Sequence, residues 1–190
     1  MRSRPRRSAK LSLQPNTFMD EIELAAYDPR WPAEFAAEES RIRAVLPAKL
    51  ALAIEHFGST AIPGLAAKPI IDILIAVTSL AEAREHAIPL LEAMGYSYWR
   101  ENPKTDCLFL VKGLPPQAER RTHHIHITQT NGELWQRLLF RDYLRLHPEE
   151  ARTYEQLKRT LAANYHQDRE AYTAGKTDYI QEVMKKAVAK

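Results

Sequence analysis

The sequence predicts an α+β fold, in which a mixed β-sheet flanked by helices is followed by a helical C-terminal third. Three observations support this prediction. The run PIIDILIAV at 69–77 is β-branched and almost wholly apolar, as expected of a central strand covered on both faces. Two further strand-like segments follow at 105–112 and 122–128, and apolar residues recur at helical spacing from residue 133 onward.

The segment before the central strand contains an extended stretch, a helix and a second strand. Residues 22–26 are strand-like, and Asp28-Pro29 can cap and open the next helix. Apolar residues then recur at near-helical spacing, so this helix is predicted to end near Leu46. Residues 51–57, ALAIEHF, are predicted to form a strand that ends in a turn.

A helix is predicted after the central strand. Ser79 and Glu82 have the spacing of a capping box, and Gly95 ends the apolar repeat. Pro89 within this segment predicts a kink or a break. The two later strands are expected to pair like a hairpin beside the central strand, and the C-terminal third is expected to form three helices.

The composition predicts one domain with a packed core. The chain has 190 residues, of which 45% are hydrophobic and 27% are charged, close to ordinary globular values. No apolar run approaches the ~20 residues that a membrane helix needs. The single cysteine excludes an intramolecular disulfide and a cysteine zinc cluster. We therefore expect a cytoplasmic protein that does not span a membrane.

The basic residues are concentrated at the N-terminus. Five positive charges precede the first acidic residue, so the rest of the chain carries a net charge of −2 although the whole carries +3. We expect residues 1–20 to be a disordered basic tail and residues 21–190 to form the domain. Because the basic excess lies outside the fold, nucleic acid is not an expected partner. Met19 is an alternative start, so whether residues 1–18 belong to the native protein stays open.

A possible phosphate-binding turn, Gly58-Ser59-Thr60, follows a predicted strand. Backbone N–H groups and a hydroxyl can converge there on phosphate oxygens, and glycine permits close approach. The turn gains interest from Asp72, a carboxylate in the middle of the apolar central strand. A buried unpaired carboxylate costs several kcal/mol, so Asp72 must pair with a base such as Lys68, accept hydrogen bonds or bind a cation.

Two histidines of a later strand are predicted to share one face. Side chains alternate along a strand, so His124 and His126 face one side and His123 faces the other. With Asp72 from a neighbouring strand, the two imidazoles would form an N/N/O metal site. The alternative is that these are core histidines whose nitrogens are satisfied by backbone carbonyls.

The run EHFGSTAIPGLAAKPIIDILIAV at 55–77 resembles the signature of the GrpB family, small proteins assigned to the nucleotidyltransferase superfamily. The resemblance covers about residues 22–188. Its other matching segments are YDPRW at 27–31, HHIHI at 123–127, WQRLLFRDYLRLHP at 135–148 and YEQLK at 154–158, with the later Tyr172 and Lys176.

The resemblance implies a nucleotidyltransferase-like mixed sheet, in which a Gly-Ser turn contacts nucleotide phosphates. An hDxDh pair of acids and a third carboxylate on another strand hold two Mg²⁺ ions in such folds. Aligned from Gly58, this sequence places Asp72 at the second acid of the pair and Ile70 at the first. It offers His124 and His126 where the third acid is expected. Imidazole favours Zn²⁺, Mn²⁺ or Fe²⁺ over Mg²⁺, which argues against the usual two-Mg²⁺ chemistry.

The function expected from these residues is metal-dependent transfer of a nucleotidyl or pyrophosphoryl group from a nucleoside triphosphate to a small-molecule acceptor. The divalent metal would be Mg²⁺, Mn²⁺ or Zn²⁺. The predicted catalytic and metal-binding residues are Asp72, His124 and His126. The predicted nucleotide-binding residues are Gly58, Ser59, Thr60, Lys68, Arg141, Lys158 and Lys176.

Two other functions stay open at this point. A catalytically degenerate nucleotide-binding module is favoured by Ile70 at an expected acid position, and a metal-dependent hydrolase follows if the Asp and His side chains hold a zinc-type ion. Glu55 and His56 precede the turn, and we expect them to face the same pocket as a ligand or a base. The sequence does not indicate the acceptor or the oligomeric state.

Overall fold

A computed structural model describes residues 21–116 and 118–189 of the chain. These residues form a five-stranded mixed sheet with helices on both faces, which confirms the α+β prediction. The predicted tail, residues 1–20, lies outside the described residues. The strands are β1 (Ala53–Phe57), β2 (Ile71–Val77), β3 (Tyr96–Tyr98), β4 (Cys107–Lys112) and β5 (His123–Gln129).

The helices include the predicted helical C-terminal third. Among the residues that the structure describes, no helix is long and apolar enough to cross a membrane. A short 3-10 turn, Ser59–Ala61, follows β1. The α-helices are α1 (Trp31–Val45), α2 (Leu80–Ala93), α3 (Glu133–Leu146), α4 (Pro148–Asn164), α5 (Arg169–Ala174) and α6 (Thr177–Val188).

The sheet has the strand order β1-β2-β5-β4-β3, so β2 is flanked on both sides. Only β2 and β5 run parallel, and the other neighbouring pairs are antiparallel. The predicted pairing of β4 with β5, beside the central strand, is confirmed. β3 is an additional edge strand that the sequence analysis did not predict, because only three residues form it.

The main core lies between the sheet and the pair α1 and α2. Ile71, Ile73 and Ile75 alternate along β2 and are buried in this core with residues such as Ile42 and Leu91. Their burial removes apolar surface from water, which is the largest favourable contribution to folding. The intervening positions of β2 face the opposite side, where α3 and the later helices lie.

Several local details differ from the prediction. Ser79 does cap α2, since its hydroxyl accepts from the Glu82 N–H at 3.3 Å. The predicted break does not occur, because α2 is continuous through Pro89. The predicted strand at 22–26 is reduced to a single bridge at Ala25.

The helix start and the C-terminus differ as well. The Asp28 carboxylate does not cap α1 but accepts from the Arg30 backbone N–H at 2.9 Å. The last predicted helix is two helices, α5 and α6, which meet around Gly175. A Cβ at Gly175 would lie 2.5 Å from Leu161 Cδ2, so α4 approaches this junction closely.

A buried polar network occupies the α1 face of the sheet. Glu38 is 3% exposed, and its carboxylate accepts from the Tyr96 hydroxyl at 2.9 Å and from Lys112 Nζ at 2.7 Å. Arg41 on the next turn of α1 pairs with the same carboxylate. The charge of Glu38 acts on His123, which confirms that His123 faces away from His124.

Candidate metal and nucleotide site

Two rows of side chains cross the sheet on the face away from α1 and α2. Cα partners in adjacent strands carry side chains on the same face, so each row runs perpendicular to the strands. The first row is Phe57, Asp72, His124 and Val111. The second row is Leu74, His126, Phe109 and Trp99. Trp99 joins this row because its backbone N–H donates to the Phe109 carbonyl at 2.9 Å.

The parallel pairing of β2 and β5 brings together the side chains of Asp72, His124 and His126. Nδ1 of His124 lies 3.0 Å from Oδ1 of Asp72, and Nε2 of His126 lies 4.0 Å from the same oxygen. One potential ligand atom from each of the three residues lies within 4.8 Å of the others. The predicted clustering of these residues is therefore present, and Lys68 does not form an ion pair with Asp72 in its place.

Burial keeps both imidazoles neutral. It lowers the pKa of His126 to about 3, and it lowers the pKa of His124 although Asp72 opposes the shift. Burial alone would raise the pKa of Asp72, but the hydrogen bond with His124 and the charge of Lys68 bring it below its ordinary value. At neutral pH the cluster therefore presents one carboxylate and two neutral imidazoles, the forms that bind metals.

The donor set fits one transition-metal ion. Ligand atoms in a tetrahedral site with bonds of about 2.1 Å lie about 3.4 Å apart, between the two distances from Asp72 Oδ1. Nε2 of His124 is buried without a hydrogen-bond partner among the described residues. When Nδ1 binds a metal, the proton on Nε2 has no acceptor, at a cost of about 1–3 kcal/mol. In the metal-free protein Nδ1 can donate its proton to Asp72, and Nε2 is then a buried acceptor without a donor among the described residues.

Gly58 is required where the turn after β1 meets Asp72. Its backbone has φ 73° and ψ −169°, a region open almost only to glycine. A Cβ at this position would lie 2.4 Å from Oδ2 of Asp72. The next residue, Ser59, lines the same cleft and interacts with the Tyr154 side chain. The turn therefore holds the Gly58 backbone directly against the carboxylate and places Ser59 at the wall of the same cleft.

Thr60 and His56 have structural contacts on the inner side of this turn. The Thr60 hydroxyl is 1% exposed and donates to the carbonyl of Ile70 at 3.3 Å. Nε2 of His56 lies 3.0 Å from the same hydroxyl, and its ring stacks on Phe35 with centroids 4.7 Å apart. The expectation that His56 faces the pocket is therefore wrong, because alternation along β1 directs it towards α1.

Two lysines share the ring of Tyr172. Nζ of Lys68 lies 5.3 Å from the ring centroid and Nζ of Lys176 lies 4.3 Å from it. Burial lowers the pKa of Lys68 to about 7, and the charges of Arg169 and Lys176 act in the same direction. Burial also lowers the pKa of Lys176 to about 8, although Asp72 opposes the shift. An anion bound between these cations would relieve their mutual repulsion.

Arg141 and Lys158 are already engaged within the protein. The Arg141 guanidinium donates to Glu55 Oε2 at 2.8 Å, to the His56 carbonyl at 2.7 Å and to Asp142. The expectation that Glu55 serves as a free ligand or base is wrong, since it pairs with Arg141. Lys158 is 2% exposed and donates to the carbonyl of Ala66. Phosphate binding by these two cations stays a prediction, and their contacts favour a structural role.

One cleft of about 1040 Å³ brings all the predicted site residues together. Its wall includes each predicted metal ligand and each predicted nucleotide-binding residue, and Ile70 as well. The wall also contains residues that the sequence analysis did not identify. Among them are the basic residues Arg121, Arg137 and Arg169 and the aromatic residues Trp99 and Phe109.

Comparison with known proteins gives consistent matches over nearly the whole described chain. The family model described as GrpB protein matches residues 21–186. The UPF0157 protein PA4798 of Pseudomonas aeruginosa is 48% identical over 170 residues, which cover 90% of this chain and 69% of that protein. The crystal structure of the conserved protein GrpB from Enterococcus faecalis superposes with a TM-score of 0.76 and 35% identity, covering 88% of this chain and 98% of that one.

A longer protein also contains a similar segment. The dephospho-CoA kinase of Mycolicibacterium paratuberculosis is 32% identical over 189 residues. The match covers 87% of this chain but only 46% of that protein.

Proposed function

Because the chain belongs to the GrpB family, we propose that it binds a nucleoside triphosphate together with one divalent metal ion and transfers a nucleotidyl or pyrophosphoryl group to a small-molecule acceptor. One observation carries the proposal. Asp72, His124 and His126 form a potential metal-binding cluster at the wall of a cleft that is also lined by several basic side chains. We place this activity in the cytoplasm.

The metal is proposed to be Mn²⁺ or Zn²⁺ in preference to Mg²⁺. Two of the three ligands are imidazoles, and the cluster contains a single carboxylate. Mg²⁺ prefers oxygen ligands, whereas imidazole suits transition metals. When bound, the ion would supply charge neutralisation at the phosphates and activation of the attacking oxygen.

The protein's own contribution is to grip the phosphates. Gly58 lets the backbone approach the carboxylate of Asp72, and the Ser59 hydroxyl can donate to a phosphate oxygen. Lys68 and Lys176, on the ring of Tyr172, supply positive charge on the side of the α5–α6 junction. The similar segment in a protein named dephospho-CoA kinase is a further point in favour of phosphate-group chemistry.

A binding module without turnover is the second candidate function. Ile70 is 9% exposed at the cleft wall, where the resemblance predicts the first acid of the pair. With one carboxylate in place of three, the site holds fewer hard ligands than two-metal catalysis needs. Such a module would still bind the nucleotide and the metal ion, but it would not catalyse the transfer.

The test combines metal analysis with ligand-induced stabilisation. The purified full chain is expected to retain Zn²⁺ or Mn²⁺ near one equivalent, and its Tm should rise with nucleoside triphosphate and Mn²⁺ together. Asp72→Ala and His126→Ala should abolish both effects. The control variants are Asp178→Ala and His86→Ala, which remove the same side-chain types from exposed positions on α6 and α2.

The outcomes separate the candidates. Stabilisation that persists in both Asp72→Ala and His126→Ala would mean that the pocket lies elsewhere. Stabilisation that depends on both residues, with no product from any tested acceptor, favours the binding module.

A further inference from the structure

The cleft has an aromatic end that the proposed phosphate and metal chemistry does not use. Trp99, directly after β3, and Phe109 on β4 are both half-buried at the cleft wall. Their ring centroids are 6.1 Å apart and their planes meet at 67°. Phe109 in turn lies 4.7 Å from the ring of His126. An unbroken line of rings therefore leads from the metal cluster to the edge of the sheet.

This aromatic end lies at a defined distance from Asp72. β3 is separated from β2 by β4 and β5. Strand spacings of about 4.8 Å therefore put Trp99 about 14 Å across the sheet from β2. Lys68 precedes β2, and its partner on the Tyr172 ring, Lys176, follows α5. The two lysines on the Tyr172 ring and the aromatic pair therefore occupy different parts of one cleft.

The aromatic pair has the geometry of a receptor for a planar ring. Two rings inclined to each other offer one face for stacking and one edge for a T-shaped contact. The two residues are joined through the main chain, because the Trp99 backbone N–H donates to the Phe109 carbonyl at 2.9 Å, and their rings contact each other.

We propose that Trp99 and Phe109 bind the nucleobase of a nucleotide whose phosphates lie at the basic end of the cleft. This inference rests on the proposed function and adds the residues that select a nucleotide over a simple polyphosphate. Stacking tolerates every base, since each base has a π-face, so the selectivity is for a ring and not for one base.

The experiment compares two ligands that share phosphates but differ in the ring. Binding of ATP and of inorganic tripolyphosphate, each with Mn²⁺, is measured by calorimetry on the full chain. Trp99→Ala is expected to weaken ATP binding about 5- to 150-fold, the range that removal of one base-stacking ring gives. The same variant should change tripolyphosphate binding less than about twofold. Trp99→Phe, which keeps a ring, should restore most of the ATP affinity.

A matched control and a second readout protect the test against misfolding. Trp135→Ala removes a half-buried tryptophan outside the cleft wall and should affect neither ligand selectively. The chain has three tryptophans, so Trp31→Phe combined with Trp135→Phe leaves Trp99 as the sole indole. ATP should quench its fluorescence, and tripolyphosphate should not.

Each result has one meaning. If Trp99→Ala binds ATP as tightly as the unmodified chain does, Trp99 does not bind the nucleobase. An equal loss of affinity for ATP and for tripolyphosphate would also overturn the proposed nucleobase site, and neither result contradicts a phosphate site in the cleft. Equal affinity of the unmodified chain for ATP and tripolyphosphate also overturns it. If the unmodified chain binds neither ligand, the proposed function itself is wrong, and the proposed nucleobase site is wrong with it.

Discussion

Gly58→Ala should separate backbone strain from direct interference with the metal cluster. The backbone at Gly58 has φ 73° and ψ −169°, where a non-glycine residue costs about 1–3 kcal/mol. In addition, the new Cβ would lie 2.4 Å from Oδ2 of Asp72, so the carboxylate must move. We expect a loss of about 2–6 kcal/mol in the free energy of unfolding, the sum of this strain and a contact loss of similar size.

Gly64→Ala is the matched control. Gly64 also has a positive φ, 77°, but a Cβ there would meet nothing within 4 Å. It should lose only the cost of a left-handed conformation, about 1–2 kcal/mol. Urea denaturation measures both variants, and Zn²⁺ or Mn²⁺ titration should show weaker metal binding for Gly58→Ala alone.

A double-mutant cycle identifies the contact. If the carboxylate of Asp72 causes the additional loss, Gly58→Ala should be less destabilising when Asp72→Ala is already present. Additive effects, or equal losses at Gly58 and Gly64, would refute the assignment of Gly58 to a close approach at the site.

Three further predictions concern the basic and metal-binding side chains. Tripolyphosphate affinity should fall at least about tenfold as the pH rises from 7 to 9.5, because a bound anion raises the pKa values of Lys68 and Lys176 from about 7 and about 8. The gain is complete below the free pKa values and is lost progressively as the pH rises from these towards the higher pKa values of the complex. A flat profile by calorimetry would contradict it. Arg141→Ala should lower the free energy of unfolding by about 2–4 kcal/mol in urea denaturation, because the His56 carbonyl and the Glu55 carboxylate lose their donor. A loss below about 1 kcal/mol would count against a structural role of Arg141. His126→Ala should weaken Zn²⁺ binding at least about 100-fold in a competition titration, whereas His86→Ala should not change it.

The clustering of Asp72, His124 and His126 could be predicted from the sequence because it depends on strand alternation and on two strands being neighbours. Asp72 interrupts an apolar run, and His124 and His126 are two residues apart, so each falls on a known face once the strands are assigned. The parallel register of β2 and β5, with Asp72 opposite His124, then brings them together.

Other site residues could not be predicted, because their positions depend on contacts between distant parts of the chain. Tyr172 carries two lysines on its ring, yet it lies on a helix of six residues that the sequence pattern merged with the next. Trp99 reaches the cleft through pairing with Phe109, and the short strand before it gives too few residues for a periodic signal. The pairing of Arg141 with Glu55 on β1 could not be predicted either, because the two residues are far apart in the sequence.

His123 and His124 serve opposite sides of the sheet from adjacent positions, one towards Glu38 and the other towards Asp72. Deleting or inserting one residue at the start of β5 would exchange their environments, since a shift of one position turns every following side chain to the reverse face. The network that holds α1 to the sheet and the cluster of Asp72, His124 and His126 would then be lost together. Length variation in this family should accordingly be tolerated in the loop between β4 and β5 and selected against within β5 itself.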